Sequence, residues 1–210
     1  VGSKGGQELV EASVAELDKI WESNRDTYQV PHSDCQSSIR LKMKAPGLSD
    51  KFLNHGVASL SWDNENLHLN VEVSDPSHFN PHTGSRIWEG DSLKFAIMPE
   101  GKDSLFSIVV ALTQKGVEAY QYDKNPRLIE HSRFSVLRNE ARRITSYEVL
   151  VPLKLMNIYP AAGSRLLFNA VVHNDDPGAN RWIEISPGLT GIIDTRLFPE
   201  LIFSNNQKSD

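Results

Sequence analysis

Residues 57–73 read VASLSWDNENLHLNVEV, and their alternation decides the fold. In 57–62 (VASLSW) and again in 67–73 (LHLNVEV) polar and apolar side chains alternate, the period of a strand with one face on a core. Leu67, Leu69, Val71 and Val73 share one face; His68, Asn70 and Glu72 share the other. The WDNEN between the two runs is a hairpin-type turn, because Asn and Asp satisfy local backbone groups and tolerate turn geometry.

The same period spreads outward from this hairpin. Residues 91–97 (DSLKFAI) place Leu93, Phe95 and Ile97 inward and Lys94 outward. Further strands are predicted at 104–112, 116–122, 132–138, 143–151, 165–173, 181–186 and 198–203. Gly, Pro, Asn and Asp clusters separate them at the spacing of about 8–12 residues expected of an antiparallel sandwich. The fold expected is all-β: one antiparallel β-sandwich of the immunoglobulin-like or jelly-roll type, with a short N-terminal helical lead-in. The sandwich domain is expected over residues 38–205, preceded by a partly helical or flexible lead-in over 1–37 and followed by a tail over 206–210. The lead-in helix is predicted at 7–23, where Leu9, Val10, Val14, Leu17, Ile20 and Trp21 form one apolar stripe. A single turn is expected at Pro152–Asn157.

Composition narrows the function classes. With 22 Lys+Arg against 27 Asp+Glu the net charge is −5, which argues against a general nucleic-acid surface. No apolar run approaches the ~20 residues of a membrane helix. At 210 residues a chain buries about 70% of its unfolded surface, enough for a full core without staples. Cys35 alone makes neither an intrachain disulfide nor a CxxC redox pair. The opening VGSKGG lacks an apolar signal region and reads as a processed or excised start, so it leaves the compartment open.

Catalytic signatures are lacking. There is no G-x-S-x-G, H-E-x-x-H or P-loop, and no G-x-G-x-x-G after a strand. His32 and Cys35 fall in a loop, and none of His55, His68, His131 and His173 has a short-spaced metal-ligand partner among them.

Function must then come from loops or an open sheet face. The densest polar loop is 74–92, SDPSHFNPHTGSRIWEGDS, which is too long for a tight turn. Trp88 stands in a polar run beside Glu89 and Asp91. It suits either of two roles, a platform for the apolar C–H face of a sugar ring or a plug at one end of the sandwich. A second polar cluster, 173–182 (HNDDPGANRW), follows the apolar strand RLLFNAVV. Asn174, Asp175 and Asp176 offer hard oxygens to calcium, and equally make good turn chemistry. Arg181 and Trp182 open the next strand, where Trp182 suits sheet packing better than a ligand platform.

In order and spacing, WDNENLHLNVEVSDP, IWEGDSLKFAI, YEVLVPLKLM, LLFNAVVHNDD, NRWIEISPGL and DTRLFPEL resemble the family 9 carbohydrate-binding modules. These belong to the wider DOMON-like β-sandwich group, and the resemblance runs over roughly residues 57–203. It implies a non-catalytic, calcium-containing sandwich attached to a larger secreted bacterial glycan-degrading enzyme, hence an extracellular or periplasmic location. The implied partners are a polysaccharide or oligosaccharide and other domains of the same polypeptide. The best-studied members of the family clasp the end of a glucan or xylan between two tryptophans. Trp88 matches one of them, and Glu89 and Asp91 match the carboxylates of the W-E-x-D-S segment.

The second tryptophan falls on Ile192, two residues before Asp194, and a polar strand pair falls on Ser107 and Val109. Asn174, Asp175 and Asp176 match the asparagine–aspartate loop, so Asp175 and Asp176 are the implied structural calcium ligands. The implied sugar contacts are Trp88, Glu89, Asp91, Asn174, Arg181 and Trp182, with His78, His82 and Arg86 in the same two loops. Because half of the clamp is absent, the alternative is a structural or interdomain sandwich that has lost glycan binding.

Overall fold

The computed structural model describes residues 23–35, 38–45, 55–123, 126–129, 133–175 and 182–205. In chain order the strands are β1 (Thr27–Pro31), β2 (Ile39–Met43), β3 (Gly56–Trp62), β4 (Asn66–Ser74), β5 (Ser92–Pro99), β6 (Phe106–Thr113) and β7 (Gly116–Gln121). Then follow β8 (Arg127–Ile129), β9 (Phe134–Asn139), β10 (Ile144–Pro152), β11 (Arg165–His173), β12 (Trp182–Glu184) and β13 (Glu200–Ser204). They form two sheets. One has five strands in the order β2-β3-β4-β10-β9. The other has eight, in the order β1-β13-β11-β5-β6-β7-β8, with β12 also paired to β11.

The predicted hairpin is the centre of the smaller sheet. Leu60 lies opposite Leu69 and Ala58 opposite Val71, so a two-residue period on each strand delivers a continuous apolar face. β10 continues it, pairing Tyr147 with Val71 and Val149 with Leu69. On the larger sheet the facing layer is Leu93, Phe95 and Ile97 of β5, Ile108 and Val110 of β6, and Phe168, Ala170 and Val172 of β11. These inner faces interdigitate into one core, as aligned sandwiches require. Trp62 closes one end. Its ring stacks on Phe203 at 4.9 Å, and its indole N–H donates to the Ser204 carbonyl at 3.2 Å.

Two features correct the sequence-based expectation. β1 lies inside the segment assigned to a lead-in, yet Val30 is fully buried and the strand forms the edge of the larger sheet. It also runs parallel to β13, pairing Thr27 with Glu200 through Pro31 with Ser204, so that sheet is mixed rather than wholly antiparallel. The signal for β1 is weak because an edge strand of pattern TYQVP buries few of its side chains. The predicted helix at 7–23, Ser23 apart, and the tail 206–210 lie outside the described residues. Among the described residues beyond Ser23 the helical structure is 3-10 only, at Ser33–Cys35, Gly84–Glu89, Arg133, Leu153–Met156 and Thr195–Leu197.

β11 shares one of its edges between two strands, β13 along Arg165–Leu167 and β12 along Val171–His173. At the β12 end, Lys44 and Glu184 exchange both backbone hydrogen bonds, at 2.8 and 2.9 Å. This joins the margin of the smaller sheet to the larger one.

Candidate functional site

The outer face of the larger sheet is covered at both sides and open between them. By strand parity Lys94 and Ala96, Ser107, Val109 and Ala111, and Asn169, Val171 and His173 point away from the core. The 3-10 turn Gly84–Glu89 covers one side, seating the fully buried Ile87 on Val109 and Ala111. Tyr122 anchors that turn, donating from its hydroxyl to the Ser85 carbonyl at 2.6 Å. The loop between β12 and β13 covers the other side, packing Leu189 and Phe198 on Ala96 and Val171. Between these covers lies a cavity of about 770 Å³.

Its floor includes Lys94, Ser107, Val109 and His173, and its walls include Trp88 and Ile193. Trp88 stands 46% exposed at the end of the 3-10 turn, with its ring centroid 6.4 Å from that of His173 and inclined by 67°. Half-buried Lys94 donates from Nζ to the Leu189 carbonyl at 3.1 Å, and burial lowers its pKa. Burial first, and then the nearby Lys94 charge, push the His173 pKa down to about 4, so the ring is neutral at pH 7. Neither His173 Nε2 nor Ser107 Oγ has a hydrogen-bond partner among the described residues. Asp103, Asp123 and Arg127 stand at the rim, and the Gln121 amide donates to Asp123.

The His173 shift has a sign that can be measured. Its folded pKa of about 4 lies below the ordinary 6.5, so the unfolded chain binds more protons in that window. Stability therefore falls as pH drops from 6.5 toward 4, by about 2 kcal/mol between pH 7 and pH 5 from this group alone. Urea titrations across that range should show the slope, and His173→Gln should flatten it.

The sequence-assigned contacts divide between three places. Of the five that are described, Trp88 alone lines the cavity. Glu89 turns to its own segment and accepts from Arg86 at 2.9 and 2.5 Å; that guanidinium, hydrogen-bonded to it, holds its carboxyl low. His82 Nε2 is 3.8 Å from the same carboxylate. Trp182 pairs across from His173 and packs its half-buried ring with the Leu189–Phe198 cluster. Asn174 lies beyond the end of β11, off the cavity lining. Arg181 and Asp176 lie outside the described residues.

Asp91 is the clearest departure. It is only 2% exposed and works inside the protein: Oδ2 accepts the Phe79 N–H at 2.7 Å and Oδ1 the Asp175 N–H at 2.8 Å. It thereby ties the two polar loops together. Asn80 is a second tie, not visible in the sequence pattern. Its buried amide donates to the carbonyls of Ile87 and Asp91 at 2.8 and 3.1 Å and accepts from the His82 N–H.

Gly90 is held to glycine by this packing, because a Cβ there would meet Asn80 Cγ at 2.7 Å and its backbone Cα at 2.9 Å. Gly90→Ala should cost about 1–3 kcal/mol through overpacking. It should lower the thermal midpoint and shift the Trp88 fluorescence, since both loop anchors flank the clash.

Asp75, His78 and Asp91 bring one ligand atom each within 4.8 Å of one another. Calcium takes six to eight oxygens, and this set offers an imidazole in place of one. Arg138 moreover supplies positive charge there: Nη1 lies 3.4 Å from Asp75 Oδ2 and 3.1 Å from Thr145 Oγ1. At the second loop, Asp175 is exposed and is the one described member of the expected pair. The described residues at neither place make up a calcium donor set.

The two-sheet sandwich is similar in fold to solved family 9 carbohydrate-binding modules. One solved module of that family, from Caldicellulosiruptor kristjanssonii in complex with cellotriose, superposes with a TM-score of 0.59 at 15% identity, covering 87% of this chain and 94% of that one. A glucose complex from the same organism gives 0.60 at 14% identity, covering 88% and 99%. A candidate carbohydrate-binding protein from Bacteroides uniformis ATCC 8492 gives 0.66 at 13% identity, covering 86% and 100%. No family model and no curated protein matches the sequence.

Proposed function

We propose that this chain is a non-catalytic carbohydrate-binding module that takes a sugar into the cavity beside Trp88. One observation carries this: a half-exposed indole stands over a cavity of about 770 Å³ whose floor holds Ser107 and His173 polar atoms with no partner among the described residues. An aromatic face suits the C–H face of a pyranose, and unpaired polar atoms suit its hydroxyls. The structural neighbours favour the same ligand class, since one is a complex with cellotriose and another with glucose. In this reading the module belongs to a larger secreted glycan-degrading protein and works outside the cytoplasm.

Calorimetric titration with oligosaccharides, neutral and acidic, tests it. Trp88→Ala should weaken binding by roughly 5- to 150-fold, since one aromatic stack contributes about 1–3 kcal/mol. Undiminished binding by that variant removes the stacking role.

A second reading rests on Ile192, which occupies the place of the second clamp residue and is 93% exposed. An exposed isoleucine there suits an interdomain contact, and failure of the intact protein to bind any oligosaccharide would favour it.

A further inference from the structure

The cavity floor carries a positive charge that nothing described in the chain neutralises. Lys94 projects from the middle of β5, between Val109 of β6 and Val171 of β11, where a polar residue interrupts an otherwise apolar patch. Among the described residues its one hydrogen bond is to a neutral carbonyl, that of Leu189, and no carboxylate pairs with it. Burial lowers its pKa. Buried charges are kept only where a counter-charge or a ligand meets them. The second titratable group on the floor, His173, is neutral and senses the Lys94 charge directly. The third polar residue, Ser107, is uncharged, and its hydroxyl has no partner among the described residues. The acidic residues of the cavity, exposed Asp103 and part-buried Asp123, are on its rim, as is the exposed Arg127. Water screens rim charges, whereas a charge at the floor acts at closer to full strength.

Resting on the sugar-binding reading above, we propose that the cavity selects an acidic sugar, a pyranose bearing a carboxylate such as a uronate, placing its ring on Trp88 and its carboxylate on Lys94. The chemistry is ordinary ion pairing in a partly dry site, where a charge-assisted hydrogen bond is about twice as strong as a neutral one. The neutral His173 ring offers a further hydrogen bond. An anion beside it would also relieve the burden that Lys94 places on its protonated form.

Calorimetric titration of the intact chain compares galacturonic and glucuronic acid oligosaccharides with glucose and galactose oligosaccharides of equal length, and with acetate. Uronate oligosaccharides should bind at least tenfold tighter than their neutral counterparts, and the advantage should shrink from 50 to 500 mM salt. Lys94→Gln should bring the ratio of acidic to neutral affinity close to one, while Lys94→Arg should restore most of it. Circular dichroism of both variants checks that the sandwich is intact.

Neutral oligosaccharides binding as tightly as uronates would overturn the acidic preference and leave the sugar-binding reading standing. Acetate binding as well as a uronate would overturn it too, by showing a carboxylate site with no use for the sugar ring. Absence of binding by every saccharide would remove both.

Discussion

Arg138→Met should destabilise the protein by about 3–5 kcal/mol, the cost of removing one member of a buried ion pair and leaving the other uncompensated. The Arg138 and Asp75 side chains are 7% and 6% exposed. Nη1 of the arginine also donates to the Asp75 carbonyl at 3.0 Å, and Nη2 reaches the Pro76 carbonyl at 3.4 Å. Thr145 Oγ1, on the neighbouring strand, lies 3.1 Å from Nη1 and 3.4 Å from Asp75 Oδ2. One guanidinium thus binds the start of the 74–92 loop to the β9–β10 pair. At about 2–4 °C per kcal/mol for a chain of this size, the thermal midpoint should fall by roughly 10 °C. Arg138→Lys should recover only part of the loss, because an ammonium keeps the charge without the planar fork that spans several acceptors. A midpoint within a degree or two of the parent would show that the cluster does not rely on the arginine.

Asp91→Ala should be nearly as costly, about 3–4 kcal/mol. It strips two backbone N–H groups, those of Phe79 and Asp175, of a charged acceptor at 2.7 and 2.8 Å. A hydrogen bond to a charged group is worth about 1.5–3 kcal/mol, and a buried donor left alone costs its full desolvation. Removing the carboxylate also takes away an anion 3.8 Å from His78 Nδ1, in a cluster where Asp75 stands 3.9 Å from the same atom. The contrast with Glu89 is the useful measurement. Glu89→Gln removes an exposed partner of Arg86 and should leave the melting transition where it is, since solvent screens such pairs. If Asp91→Ala melted like the parent and lost only ligand affinity, the aspartate would be a sugar contact after all.

These two residues also show what one chain of letters can reveal. Asp91 was legible as part of a W-E-x-D-S segment, but not as buried, because a polar residue at a strand start reads the same whether it faces water or a neighbouring loop. Its partners are Phe79, twelve residues earlier, and Asp175, eighty-four later; the second distance is closed only by the pairing of β5 with β11. Trp88 was legible as an aromatic side chain out of place in a polar loop, and the structure leaves it half exposed at a cavity wall. Its second reading, as a buried plug, does not fit that exposure.

By itself the sequence determined which face of each main strand turns inward. Alternation with a period of two is a local property, and burying the apolar set on one side leaves two packed sheets as the solution. It determined the outward direction of Lys94 by the same rule. Only the tertiary structure decided that this outward face is not simply solvent. The 84–89 turn and the 185–198 loop cover its two sides, and burial first, with the nearby Lys94 charge second, holds the His173 ring neutral. Strand parity is written in neighbouring residues, whereas enclosure depends on segments far apart in the chain meeting over the same sheet.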